Sequence, residues 1–138
     1  LKKRKEKFMK SHKIEIRVRW GDVDNAGIIY HPNVFHYFEI GIEEFFRAIG
    51  LAYPEAVRYG IAMPRVEVKA NFLAPLKFDD LLELETRVEE IKEKSIKFGF
   101  EVKREKSTVI TGHIIVVTVD PKKWKAIPVP RELTDRLR

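Results

Sequence analysis

Asp24 and His31 stand seven positions apart in the stretch WGDVDNAGIIYHPN, residues 20–33, with Asp22, Gly27 and Pro32 around them. A carboxylate such as Asp24 can activate a water molecule as a general base or attack an activated acyl carbon itself. His31 immediately precedes Pro32, a residue suited to the first position of a helix because it has no N–H to lose there. The first N–H groups of a helix have no intrahelical partner, and the aligned peptide dipoles leave roughly half a positive charge at that end. Histidine is a poor capping side chain. The N–H groups of His31, Asn33 and Val34 are therefore expected to be open to an external acceptor, such as a carbonyl oxygen that gains charge as its carbon is attacked. One well-placed donor of this kind lowers a barrier by about 3 kcal/mol. A carboxylate opposite a polarised carbonyl suits thioester hydrolysis, because a thiolate leaves without the strong acid that an amide requires. Asp22 and Asp24 also read as plain turn residues, since Asp, Asn and Gly supply the backbone angles and local hydrogen bonds of loops. Turn chemistry does not explain Ile28, Ile29 and Tyr30, and an apolar run in a connection predicts a loop that is itself buried.

Other constellations are weak. His31 and His36 lack the HExxH spacing and have no further ligands nearby, so no metal site is expected. The chain has no cysteine, which excludes a disulfide framework, a thiol nucleophile and Cys-ligated zinc. Ser95 and Ser107 have no accompanying triad pattern. His113 sits in an apolar strand pattern and reads as a satisfied side chain. No cofactor is implied.

The elements that must position Asp24 and His31 follow from periodicity. Ile14, Ile16, Val18 and Trp20 alternate with Glu15, Arg17 and Arg19, the period of a strand with one buried face. From 32 to 49 the apolar Val34, Phe35, Phe38, Ile42, Phe45, Phe46 and Ile49 fall at spacings of three and four, and Gly50 stops the helix. Its apolar surface is broad, so the helix should be largely enclosed. Residues 51–62 read as a short helical or irregular stretch. Four strand patterns follow, at 66–70, 82–88, 96–102 and 109–119, the last nearly continuous and read as central. The polar turns KEKS, 92–95, and REKS, 104–107, suit hairpins. This is an α+β layout: one long central helix wrapped by an antiparallel sheet of about five strands, the arrangement called the hot-dog fold. One helix covers only part of such a sheet, and the uncovered face and edge predict pairing of subunits.

The 138 residues make one domain, 11–138, behind a basic tail, 1–10. That tail holds six Lys and Arg against Glu6, a net of +5, so the rest carries only +1 of the chain's +6. The body is nearly neutral, and the tail reads as a solvated arm with no nucleic-acid role. With no apolar run near the roughly 20 residues of a membrane span and no signal-peptide pattern, the expectation is a soluble cytoplasmic protein without stable membrane insertion.

The run GDVDNAGIIYHPNVFHYFE resembles the signature of the 4-hydroxybenzoyl-CoA thioesterase family, which includes the short-chain acyl-CoA thioesterases found with the bacterial Tol-Pal system. The match falls on Asp22, Asp24, Gly27, Ile28, Ile29, Tyr30 and His31 and continues through KANFLAP, FDDLLELET, IKEKS and AIPVP, so it covers nearly the whole chain. The resemblance implies a hydrolase that splits acyl-CoA into free acid and CoA. Asp24 would be its nucleophile or general base, and the His31 backbone N–H would polarise the thioester carbonyl. Gly27 would let the loop pass close to substrate, with Ile28 beside it. Tyr30 and Phe35 either line an acyl pocket or fill core, and core is the reading their type favours. Glu39 matches a helix position that carries an acyl-pocket Asp in benzoyl-specific members; an interior ion pair is the equal alternative. Lys92, Lys94 and Ser95 match groups near the CoA phosphates, or are solvent-facing turn residues. A homodimer, and a dimer of dimers, is implied as well. Two rival readings remain: an acyl-thioester hydratase or dehydratase using His31 and Glu39, and a non-enzymatic acyl-CoA-binding protein.

Overall fold

The computed structural model describes residues 9–51 and 58–138. Most of the basic tail, and part of the 51–62 stretch, therefore lie outside the described residues. The elements run β1 (Ser11–Arg17), α1 (Asn33–Ala48), β2 (Arg65–Phe72), β3 (Leu81–Ile91), β4 (Ser95–Arg104), β5 (Ser107–Val117), β6 (Val119–Asp120), β7 (Lys125–Ala126) and α2 (Arg131–Leu137). Strands β1 to β5 form one antiparallel sheet in the order β1-β3-β4-β5-β2. The expected layout of one long helix on five antiparallel strands is the one observed.

Alternation places one face of each strand under α1. Leu82, Leu84, Thr86 and Val88 of β3, Ile96, Phe98, Phe100 and Val102 of β4, and Ile110, Ile114 and Val116 of β5 are all buried. The helix presents Val34, Phe38, Ile42, Phe45 and Phe46 to them. Phe38 stacks flat on Phe100, centroids 4.2 Å apart, and Phe45 and Phe46 meet Phe98 edge-on. Close approach depends on two missing side chains. A Cβ at Gly41 would overlap the Thr86 hydroxyl, and one at Gly112 would overlap the Lys69 carbonyl oxygen and the Phe38 ring. Gly50, at φ +84°, takes the left-handed conformation that ends the helix.

Two sequence expectations need correction. β1 ends at Arg17, and Trp20 begins a short 3-10 turn with its ring 74% exposed, so it does not extend the buried face of β1. The 109–119 strand is interior but not the middle one; β4 is, with β5 between it and the edge strand β2. The β6–β7 hairpin and α2 were not legible as elements, because a two-residue strand pair and a seven-residue helix are too short to show a period. As expected, α1 leaves part of the sheet uncovered: Val66 and Val68 of β2 stay exposed.

Candidate active site

The 20–33 connection folds back on itself. Val23 pairs with Ile29 and Ile28 with Lys77 in isolated antiparallel bridges, and the Asp24 N–H donates to the Ile28 carbonyl at 2.8 Å. Gly27 closes this small ribbon at φ +84°, with its N–H on the Asp24 carbonyl at 3.0 Å. A Cβ on Gly27 would meet nothing within 4 Å, so the turn, not close packing within the chain, is what requires glycine here. Asp24 fills the turn role with one carboxylate oxygen and leaves the other available. Its Oδ1 accepts the Ala26 N–H at 2.8 Å, as a turn aspartate would, while Oδ2 accepts no hydrogen bond among the described residues.

The helix start departs from expectation by one position. Pro32 is the residue before α1, with Asn33 first in it. The chain enters through tight turns in which Asn33 donates to the Tyr30 carbonyl, Val34 to that of His31 and Phe35 to that of Pro32. The N–H groups of Asn33 and Val34 are thus taken, contrary to expectation. The His31 N–H has no acceptor among the described residues, which leaves it as an open donor at this helix end.

Asp24, His31, Ile28 and Ile29 line one pocket of about 370 Å³ with Phe72, Leu73, Ala74 and Pro75. The last four come from the end of β2 and the turn after it. Arg104 fixes that wall by donating to the Pro75 carbonyl and to Asp80, both at 2.8 Å. Sequence reading had not chosen these wall residues; the signal was the apolar NFLAP leaving a strand. A larger hollow of about 860 Å³ at the same end of the sheet is lined by charges of both signs, Glu15, Lys77, Glu83 and Lys103 among them. It contains neither Asp24 nor His31, so the smaller pocket is the relevant one.

The expected buried connection is only partly so. Ile29 is buried, Ile28 is exposed at the pocket wall, and Tyr30 is 53% exposed with its ring edge-on to that of His31. Tyr30 therefore does not fill core, whereas Phe35 packs against it. Asp22 is the hub of the loop. Its carboxylate accepts the Tyr37 hydroxyl at 2.6 Å and the Arg19 N–H at 3.0 Å. Its carbonyl accepts the Tyr30 N–H at 2.8 Å and the Asn33 side-chain amide at 2.9 Å.

Glu39 forms a two-pronged pair with Arg65 of β2, at 2.9 and 2.7 Å, and Arg65 also donates to the Met63 carbonyl. The ion-pair reading of Glu39 is thus the observed geometry, although the pair is part-exposed. Lys92, Lys94 and Ser95 sit in the β3–β4 turn, held by Lys92 N–H to the Ser95 carbonyl at 2.9 Å. That turn is at the far end of the sheet from Asp24, a full length of β4, about 30 Å, away. One chain does not bring them together. A groove of about 510 Å³ beside the turn is lined by Lys92, Arg131 and Arg138 together with Glu93 and Asp135. Among the described residues no cluster of three His, Asp or Glu is placed to hold a metal ion, and no helix is long and apolar enough to cross a membrane.

Residues 18–137 match the family model of the thioesterase-like superfamily. The acyl-CoA thioesterase YbgC of Haemophilus influenzae is 28% identical over 119 residues, 86% of this chain and 88% of that protein. Among solved structures, a mutant 4-hydroxybenzoyl-CoA thioesterase in complex with 4-hydroxybenzoyl-CoA superposes with a TM-score of 0.83 at 27% identity, covering 93% of this chain and 99% of that one. The gentisyl-coenzyme A thioesterase BH1999 gives 0.81 at 28% identity, over 89% and 99%.

Proposed function

The chain belongs to the thioesterase-like superfamily and hydrolyses acyl-CoA thioesters, and we propose that Asp24 and the His31 backbone carry the reaction. The observation behind this reading is the shared pocket, lined by both Asp24 and His31, whose carboxylate Oδ2 and backbone N–H have no partner among the described residues. The thioester carbonyl oxygen takes the His31 N–H, whose donor strength is raised by the helix behind it. Asp24 then draws a proton from water, the hydroxide oxygen bonds to the acyl carbon, and the oxyanion collapses with cleavage of the C–S bond. The CoA thiolate leaves and takes up the proton, and Asp24 is regenerated. In the alternative route Asp24 attacks the acyl carbon itself and water opens the resulting anhydride. A single turnover in oxygen-18 water distinguishes the two, since only the anhydride route can put label into the Asp24 side chain. Ile28 and Phe72 flank the acyl group, and Glu39 with Arg65 sets its polarity further along α1.

The working unit is a homo-oligomer. Edge strand β2 carries exposed Val66, Val68 and Phe72, a free apolar edge suited to antiparallel pairing with the same strand of a second copy. Such pairing about a two-fold axis lays the Arg65 end of one β2 beside the Phe72 end of the other. Because Arg65 pairs with Val116, and Val117 with Ser95, the second copy's 92–95 turn then stands at the Asp24 end, three strand spacings or about 14 Å to the side. Lys92, Lys94 and Ser95, with Lys122, Lys123 and Lys125 on the neighbouring β6–β7 hairpin, would receive the CoA phosphates there. The dimers pair further into a tetramer, and the protein works in the cytoplasm. A thiol-release assay over short aliphatic, long aliphatic and aromatic CoA esters tests the whole reading. Asp24→Asn should lower kcat at least about 100-fold with the fold intact by circular dichroism, and turnover near wild type would sink the assignment.

A further inference from the structure

Asp22 is not among the residues lining the pocket that holds Asp24 and His31, yet it is the most heavily bonded described residue of the loop. We infer that Asp22 and the buried hydroxyl of Tyr37 form a strut that holds the Asp24 carboxylate and the His31 N–H at their working separation, so that Tyr37 is a positioning residue of the reaction. This rests on the roles given above to Asp24 and His31.

The Asp22 carbonyl, by accepting the Tyr30 N–H and the Asn33 amide, closes residues 22–33 into a ring. Asp24 lies on one limb of that ring and His31 on the other. The ring is tied to the first turn of α1 and, through Ile28 and Ile29, to residues 76 and 77, but these ties do not reach the packed face of the helix. Tyr37 is 4% exposed on the packed face of the helix, beside Phe38, and its hydroxyl reaches out of the core to Asp22 Oδ2 at 2.6 Å. The same oxygen accepts the Arg19 N–H at the end of the stretch leading from β1. One carboxylate thus ties the incoming chain and the helix core to the base of the ring. Placement errors of about 1 Å at reacting groups cost roughly 100-fold in rate. A buried tyrosine hydroxyl needs some partner in any case, so the test must separate positioning from mere satisfaction.

Steady-state kinetics on the full chain with one acyl-CoA ester, well below the melting temperature, make that separation. Tyr37→Phe should lower kcat by about 10-fold while KM stays within about twofold. Asp22→Ala should lose at least as much. Asp22→Asn keeps an acceptor for the Tyr37 hydroxyl and should recover most of that loss. In an Asp24→Asn background Tyr37→Phe should cost nothing further, because its effect passes through Asp24. An unchanged kcat in Tyr37→Phe, Asn no better than Ala at 22, or a full additional loss in the double variant would each overturn the strut. Wild-type turnover in Asp24→Asn alone would instead remove the reading on which it rests, which keeps the two failures apart.

Discussion

In the proposed mechanism His31 contributes through its backbone, so its side chain should be nearly dispensable. His31 is exposed and its imidazole lies edge-on to the Tyr30 ring, whereas the N–H is fixed by the turns entering α1. His31→Ala should therefore change kcat by no more than about threefold, against the orders of magnitude expected for Asp24→Asn; equal losses in the same assay would mean that the imidazole takes part. Tyr37 supplies a pH test at this scale. Burial, then the hydrogen bond from its hydroxyl to Asp22 and the Asp22 charge, push its phenol far above the ordinary tyrosine range, with Arg19 opposing weakly. The folded chain holds this proton more tightly than the unfolded one. Its contribution is fully present below about pH 10 and is lost as pH rises from there toward the folded value. Tyr37→Phe should flatten that alkaline decline in urea-unfolding stability, and an identical decline in the variant would place its cause elsewhere. Of the residues involved, Asp24, Gly27 and His31 were legible in the sequence because their spacing is local. Tyr37 was not, since an aromatic at helical spacing looks like any other core residue until its hydroxyl is seen to reach the loop.

At the scale of elements, the site depends on how closely α1 and β2 approach β5. Phe38 lies over Gly112, and the Lys69 carbonyl crosses the same point from β2. Gly112→Ala should destabilise the fold by about 1–3 kcal/mol through overpacking and lower the melting temperature by several degrees. Melting unchanged in a circular-dichroism scan would show that β2 yields without cost. The variant should also lose activity, because β2 carries Phe72 into the pocket wall. Periodicity revealed the strands and the helix, and the KEKS and REKS turns fall where expected. It missed Trp20 because alternation continues in the letters after the pairing with β3 has stopped at Arg17. The second turn, with Glu105 and Lys106 both at positive φ, shows the same limit: the two-residue loop is made without the Asn or Gly that would have announced it.

For the whole molecule, the separation between Asp24 and the 92–95 turn makes a prediction about mixing. If each site takes Asp24 from one copy and its phosphate-binding lysines from another, two defective chains can complement. Asp24→Asn chains and Lys92→Ala/Lys94→Ala chains, co-refolded in equal amounts, should regain about a quarter of wild-type activity at low substrate, since half the dimers are mixed and each holds one intact site. No gain over the separate variants would put the lysines outside the site. Val68→Lys, which sets a charge on the free β2 edge, should shift the chain toward monomer in sedimentation and lower activity with it.

The sequence by itself determined the fold class and singled out Asp24 and the helix end that follows it as the candidate site, because these rest on local periodicity and on a loop whose chemistry lies within about a dozen residues. Only the tertiary structure decided that the Asn33 and Val34 N–H groups are spent on turns, that Arg65 holds Glu39, that Tyr37 braces Asp22, and that the lysine turn lies at the far end of the sheet. Apart from the local turns at Asn33 and Val34, each of these is a contact or a distance between segments well separated in the chain. Strand order and helix placement fix such relations, and no spacing along the sequence encodes them.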